Sequence, residues 1–149
     1  MANLKNYSST VPAEKSLMMI EKILIDLGCT NISKSINGNK EVDGIIFMIP
    51  VNQKPTLFKL KARVDEVFAR IKKDLSPRSA FKKSVLDNKR EQAKRTAWKL
   101  LFDRIAMDAT DIQLGQMELM EIFLTRAYDM EKNQTLFEKI KDTNYKLLN

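Results

Sequence analysis

Five consecutive apolar residues, Ile45-Ile46-Phe47-Met48-Ile49, lie between two turn-forming stretches, Asn37-Gly38 before them and Asn52 to Pro55 after. A short run that is apolar on both faces reads as a central strand with a partner on each side. The flanking sequence supplies both partners. One is Asn31 to Ile36; the other is Thr56 to Ala62, where Phe58 and Leu60 alternate with Lys59 and Lys61. The strand pattern predicts a three-stranded antiparallel sheet with one apolar face to be covered by helices and another that presents lysines. Asn37-Gly38 predicts a tight hairpin with positive φ at both central residues. Pro50 limits hydrogen bonding near the end of the central strand, which extends from about Val42 to Val51.

The covering helices are legible from their period. Ala13, Leu17, Ile20, Leu24 and Leu27 repeat at helical spacing after Pro12, and Gly28 is placed to end that helix in a left-handed conformation. Val64, Val67, Phe68, Ile71 and Leu75 mark a second helix, stopped by Ser76-Pro77. A long helix is expected from about Asp87 to Leu114, with Trp98, Leu101, Phe102, Ile105, Ala109 and Ile112 on one stripe. Met117 to Asp129 reads as a further helix with Met120, Phe123, Leu124 and Ala127 inward, and Asn133 as the cap of a last one bearing Leu136, Phe137 and Ile140. The expectation is therefore one α+β domain over residues 1–149: an arm (1–10), an α-β-β-β-α part (11–75), a linker (76–88) and a helical part (89–149). That element order overlaps with double-stranded RNA-binding domains, but the loop and helix-start signals of that module are not evident, and order alone does not argue function.

Composition removes most chemistry. The chain has no histidine and a single cysteine, Cys29, so imidazole-based nucleophile systems, zinc sites and an intramolecular disulfide are out of reach. Its four glycines are scattered, with no phosphate-cradling loop. Asp103, Asp108 and Asp111 do not converge at helical spacing. An ion pair between Asp108 and Arg104, one turn earlier, is a better reading than a metal ligand. We expect no catalytic residues, no metal and no cofactor. The polar opening lacks a signal-peptide core and no apolar run could span a bilayer, which points to a cytoplasmic, membrane-free setting.

What remains is charge. The net charge is +7, and it concentrates in the middle: residues 54–104 hold 16 Lys/Arg against 6 Asp/Glu, whereas 1–53 hold 5 against 5 and 105–149 hold 5 against 8. The densest part, Lys82, Lys83, Lys89, Arg90, Lys94, Arg95 and Lys99, crowds the start of the long helix. Arg90 and Lys94 fall almost in line with the Trp98 stripe, so the helix is expected to leave the core at its N-terminal end. There its cations would grip phosphates, with Lys59 and Lys61, and beyond them Arg63, Arg70, Lys72 and Lys73, extending the patch. The alternatives are a solvated helix end with no ligand, or a basic surface docking on an acidic protein. Trp98 could stack on a base, but its stripe position favours the core. Oligomeric state is not legible.

Two segments, Tyr7-Ser8-Ser9-Thr10-Val11-Pro12-Ala13-Glu14-Lys15 and Arg90-Glu91-Gln92-Ala93-Lys94-Arg95-Thr96-Ala97-Trp98-Lys99, resemble a group of small proteins from phages, prophages and related mobile elements. The likeness continues into Ile112-Gln113-Leu114-Gly115-Gln116 and Ile122-Phe123-Leu124. It implies an accessory protein of such an element and brings no catalytic residues with it.

Overall fold

The computed structural model describes residues 4–149; the first three residues of the expected arm lie outside the described residues. The elements run α1 (Ala13–Asp26), β1 (Asn31–Ile36), β2 (Val42–Val51), β3 (Lys54–Lys61), α2 (Val64–Lys73), α3 (Lys83–Gln113), α4 (Leu119–Phe123), β4 (Tyr128–Asp129), β5 (Gln134–Thr135) and α5 (Leu136–Asp142). This is the α+β architecture read from the sequence, with its N-terminal helix, three-stranded antiparallel sheet and long helix. The chain divides into two compact units, each built from two separate stretches: Met1–Lys22 with Ala62–Ala106, and Ile23–Lys61 with Met107–Asn149.

The second unit holds the sheet, in the order β1-β2-β3. Register places Phe47 opposite Phe58 and Ile45 opposite Leu60, and all four are buried. Phe123 of α4 completes an aromatic cluster, with ring centroids 5.8 Å from Phe47 and 6.0 Å from Phe58. Gly44 sits where a Cβ would lie 2.5 Å from the Leu60 carbonyl oxygen, so the close approach of β2 and β3 there requires glycine. α1 ends as predicted. Gly28 has φ of +100°, and the Cys29 and Gly28 amides donate to the Leu24 and Ile25 carbonyls, the paired bonds of a Schellman cap.

The turns differ from expectation. Asn37-Gly38 does not form the two-residue hairpin. Instead Asn37 Oδ1 accepts from the amides of Asn39 and Glu41 at 2.9 and 3.0 Å, which closes a longer loop whose positive φ falls on Lys40. The two-residue turn is the other one: Asn52 and Gln53 both have positive φ and join the Val51–Lys54 pair. Side-chain capping by Asn37 satisfies the backbone that a tight turn would otherwise pair.

The expected helix Met117–Asp129 is also corrected. Only Leu119–Phe123 is α-helical; a 3₁₀ turn, Leu124–Arg126, follows, and then the β4–β5 hairpin. Ala127 bridges to Phe58 of β3, so sheet pairing wins over a weak helical period. The cap of α5 is Thr135, not Asn133: Thr135 and Glu138 form a reciprocal capping box. Partnered by the Thr135 backbone amide above all, and by Lys61, the Glu138 carboxyl is held below the ordinary glutamate range.

In the first unit α3 begins at Lys83, earlier than expected, preceded by a 3₁₀ turn, Ser79–Phe81, within the predicted linker. Trp98, Leu101 and Ile105 are buried as the stripe predicts. A second buried row, Ala93, Thr96 and Ala97, is the first sign that the N-terminal half of α3 is covered rather than projecting.

Candidate functional site

What covers that half of α3 is the N-terminal arm. Three arm carbonyls, those of Asn6, Tyr7 and Ser9, are received by α3 side chains. Thr96 Oγ1 donates to Asn6 at 2.9 Å. Gln92 Nε2 lies 3.2 Å from the Tyr7 and 3.1 Å from the Ser9 carbonyl oxygens. Arg95 Nε donates to the same Ser9 oxygen at 3.2 Å, and its terminal nitrogen to Gln92 Oε1 at 2.6 Å. Farther along, Asp103 accepts from Asn6 and Lys99 at 2.7 Å each. Partial burial pushes the Asp103 carboxyl up, but the hydrogen bonds from Lys99 and Asn6 and the nearby Lys5 charge outweigh it, so its pKa lies below the ordinary value. Tyr7 donates to Asp74 beyond the end of α2. That hydrogen bond, with burial and the Asp74 charge, raises the phenol pKa against the pull of Arg70. The segments 7–15 and 90–99 are thus joined to each other, through Tyr7 and Ser9 on one side and Gln92, Arg95 and Thr96 on the other.

The helix start therefore differs from the projecting end expected from sequence, and its cations divide into two sets. Arg90 is only 18% exposed, pairs with Asp65 at 2.8 Å and lies over the Phe68 ring. Lys94 pairs with Glu91 at 2.9 Å, and Lys99 with Asp103 at 2.7 Å. Arg95 is held by the arm. Lys94 and Arg95 also line a cleft of about 350 Å³ with Glu14 and Glu91, where two carboxylates balance two cations and leave no net attraction for an anion. On α2 and just before it, Arg70 pairs with Asp74 at 3.7 Å and Arg63 with Glu66 at 3.6 Å. Lys59 and Lys61 belong to the other unit: Lys59 lies over the Tyr128 ring and Lys61 pairs with Glu138 at 3.4 Å.

The second set is Lys82, Lys83 and Lys89, which have no acidic partner among the described residues. The cations that precede them lie at the end of α2 and in the connection to α3. Sequence patterning marks Lys72 and Lys73 only as extensions of the patch and gives no signal for Arg78, an isolated arginine after Ser76-Pro77. Lys73 and Arg78 likewise have no acidic partner among the described residues, and Lys72 lies over the Phe68 ring. The stretch from Lys72 to Lys89 carries six cations against Asp74 and Asp87. At its middle Phe81 is 88% exposed, more than any other large apolar side chain among the described residues.

No group of side chains among the described residues could hold a metal ion, and no helix is long and apolar enough to cross a membrane. Asp108 faces Arg126 at 3.8 Å, an ion pair with a different arginine from the one its spacing pointed to. No family model matches this chain, and neither a curated protein nor a solved structure is significantly similar to it.

Proposed function

We propose that this protein binds nucleic acid without enzymatic turnover, through the α2–α3 corner: Lys72, Lys73, Arg78, Lys82, Lys83 and Lys89. The observation that carries the reading is the division of cations. From Arg90 to Lys99 the positive side chains are engaged by Asp65, Glu91, Asp103 and the arm carbonyls, whereas those at the corner have no such counter-charge among the described residues.

Helix electrostatics sharpen the case for part of this set. Arg70, Lys72 and Lys73 lie in the last turn of α2, where cations stabilise the helix and need no other role. Lys82 and Lys83 are at the opposite kind of end. α3 has 31 residues and no acidic residue in its first turn, so two lysines meet the positive end of its dipole, a placement that destabilises the helix. A polyanion relieves that repulsion. The setting we propose is that of an accessory factor acting on the nucleic acid of a phage or related mobile element.

The test is fluorescence anisotropy with labelled DNA and RNA at several salt concentrations. Wild-type affinity should fall steeply with salt. The variant Lys82→Glu/Lys83→Glu should bind at least about tenfold more weakly, and its salt slope should be shallower by roughly 0.7–0.9 for each phosphate no longer neutralised. An unchanged slope and affinity in that variant would remove the corner from consideration. Retention of a protein partner from nuclease-treated lysate, with no affinity for any oligonucleotide, would replace the reading with docking on an acidic protein.

A further inference from the structure

Resting on that reading, we infer that the corner is built for single-stranded nucleic acid, with a base stacked on Phe81 and the flanking phosphates on Arg78, Lys82 and Lys83. Phe81 ends the 3₁₀ turn Ser79–Phe81. The turn is held from within: the Ser79 amide donates to Ser76 Oγ, which itself donates to Ser79 Oγ, the Ala80 amide donates to the Ser76 carbonyl at 3.0 Å, and the Lys82 amide to the Ser79 carbonyl at 3.1 Å. The ring contributes nothing to the core, since it is 88% exposed, and the turn's own hydrogen bonds do not need it.

An exposed phenyl among three cations has a poor fit to a duplex. Base faces in a duplex are covered by their neighbours, and its grooves offer edges and phosphates to a side chain. In a single strand every base can turn a face to an aromatic ring while the backbone stays within reach of adjacent cations, the combination found in single-strand binders generally. Phe81 is the aromatic that serves here. Trp98 is only 3% exposed, and Phe68 is half-buried beneath Lys72 and Arg90.

The experiment compares three labelled ligands of one length: a single-stranded oligothymidylate, the same backbone with abasic sites throughout, and a duplex. Wild type should bind the normal single strand about tenfold or more tighter than the abasic strand, the scale of one base–aromatic stack. Phe81→Ala should erase that difference while keeping the abasic affinity, and Phe81→Trp should restore it with tryptophan emission quenched on binding. Lys82→Glu/Lys83→Glu should weaken all three ligands together. If the lysine variant fails as expected but Phe81→Ala binds the normal strand like wild type, stacking is overturned and the electrostatic reading stands. If the lysine variant changes nothing, the electrostatic reading fails first. Preference for the duplex over the single strand also overturns the inference. Because the ring is exposed, circular dichroism should show all Phe81 variants folded.

Discussion

At the residue scale the most informative side chain is one that carries no net charge. Tyr7 fixes the arm to the residue after α2 by donating its phenolic proton to Asp74, and this bond exists only while the phenol is protonated. Its pKa is raised in the folded chain, first by that hydrogen bond and then by burial and the Asp74 charge. A group whose folded value lies above its unfolded one contributes stability that is complete below the unfolded value, about 10 for tyrosine, and is lost as pH rises through the folded value. Thermal unfolding followed from neutral to strongly alkaline pH should therefore show a loss of stability above pH ~10. Tyr7→Phe should lower stability at neutral pH and flatten that alkaline decline. Tyrosinate absorbance during the same titration should lose a step above the ordinary tyrosine range in Tyr7→Phe. An identical alkaline profile in both proteins would mean the Tyr7–Asp74 bond does not hold the arm.

At the element scale the arm and α3 behave as one piece, and this is where sequence patterning stops short. The long helix, the strands and the Gly28 cap are legible because each rests on local period or a single residue's backbone freedom. The cover over Ala93 and Thr96 is not. Alanine and threonine register weakly as apolar, and the carbonyls they face lie on the order of ninety residues away, at Asn6 and Tyr7. The same distance hides the partner of Arg90: Asp65 is on another helix, 25 residues earlier. The Thr135–Glu138 capping box, by contrast, is present in the sequence as a spacing, and Asn133 two residues before it is a competing cap signal that misleads. Thr96 tests the arm's attachment directly. Thr96→Val keeps shape but leaves the Asn6 carbonyl without its donor and the Tyr7 carbonyl with Gln92 alone, at a cost of about 1–3 kcal/mol. Hydrogen exchange should show faster exchange across residues 6–9 and along the Gln92–Thr96 stretch, with the β2–β3 amides unaffected. Uniform acceleration everywhere would instead make the arm part of one cooperative core.

At the scale of the whole molecule, charge and structure have to be read together, because positive residues serve two different ends. The first unit holds 16 Lys/Arg against 8 Asp/Glu and the second 10 against 11, so the excess belongs to one unit, but most of the cations nearest Trp98 are already neutralised within it. Charge reversal should separate the two uses. Arg90→Glu/Lys94→Glu/Arg95→Glu sets a carboxylate against Asp65, removes the stack over Phe68 and takes from the Ser9 carbonyl one of its two donors. Broken pairs of this exposure contribute up to ~1 kcal/mol each and the lost Arg95 hydrogen bonds about 0.5–1.5 kcal/mol each, so the destabilisation should total roughly 2–4 kcal/mol, or about 5–12 °C in thermal midpoint for a chain of this length. Lys59→Glu/Lys61→Glu, in the second unit, should cost little nucleic-acid affinity, since one lysine lies over Tyr128 and the other meets Glu138. Lys82→Glu/Lys83→Glu should do the reverse of the triple variant: the thermal midpoint is kept or rises slightly, because repulsion at the start of α3 is relieved, while binding is lost. Calorimetric melting and anisotropy on the same three proteins check this. A triple variant that melts like wild type and loses binding would put the ligand on the paired cations, and the division between structural and ligand-facing charge would have to be redrawn.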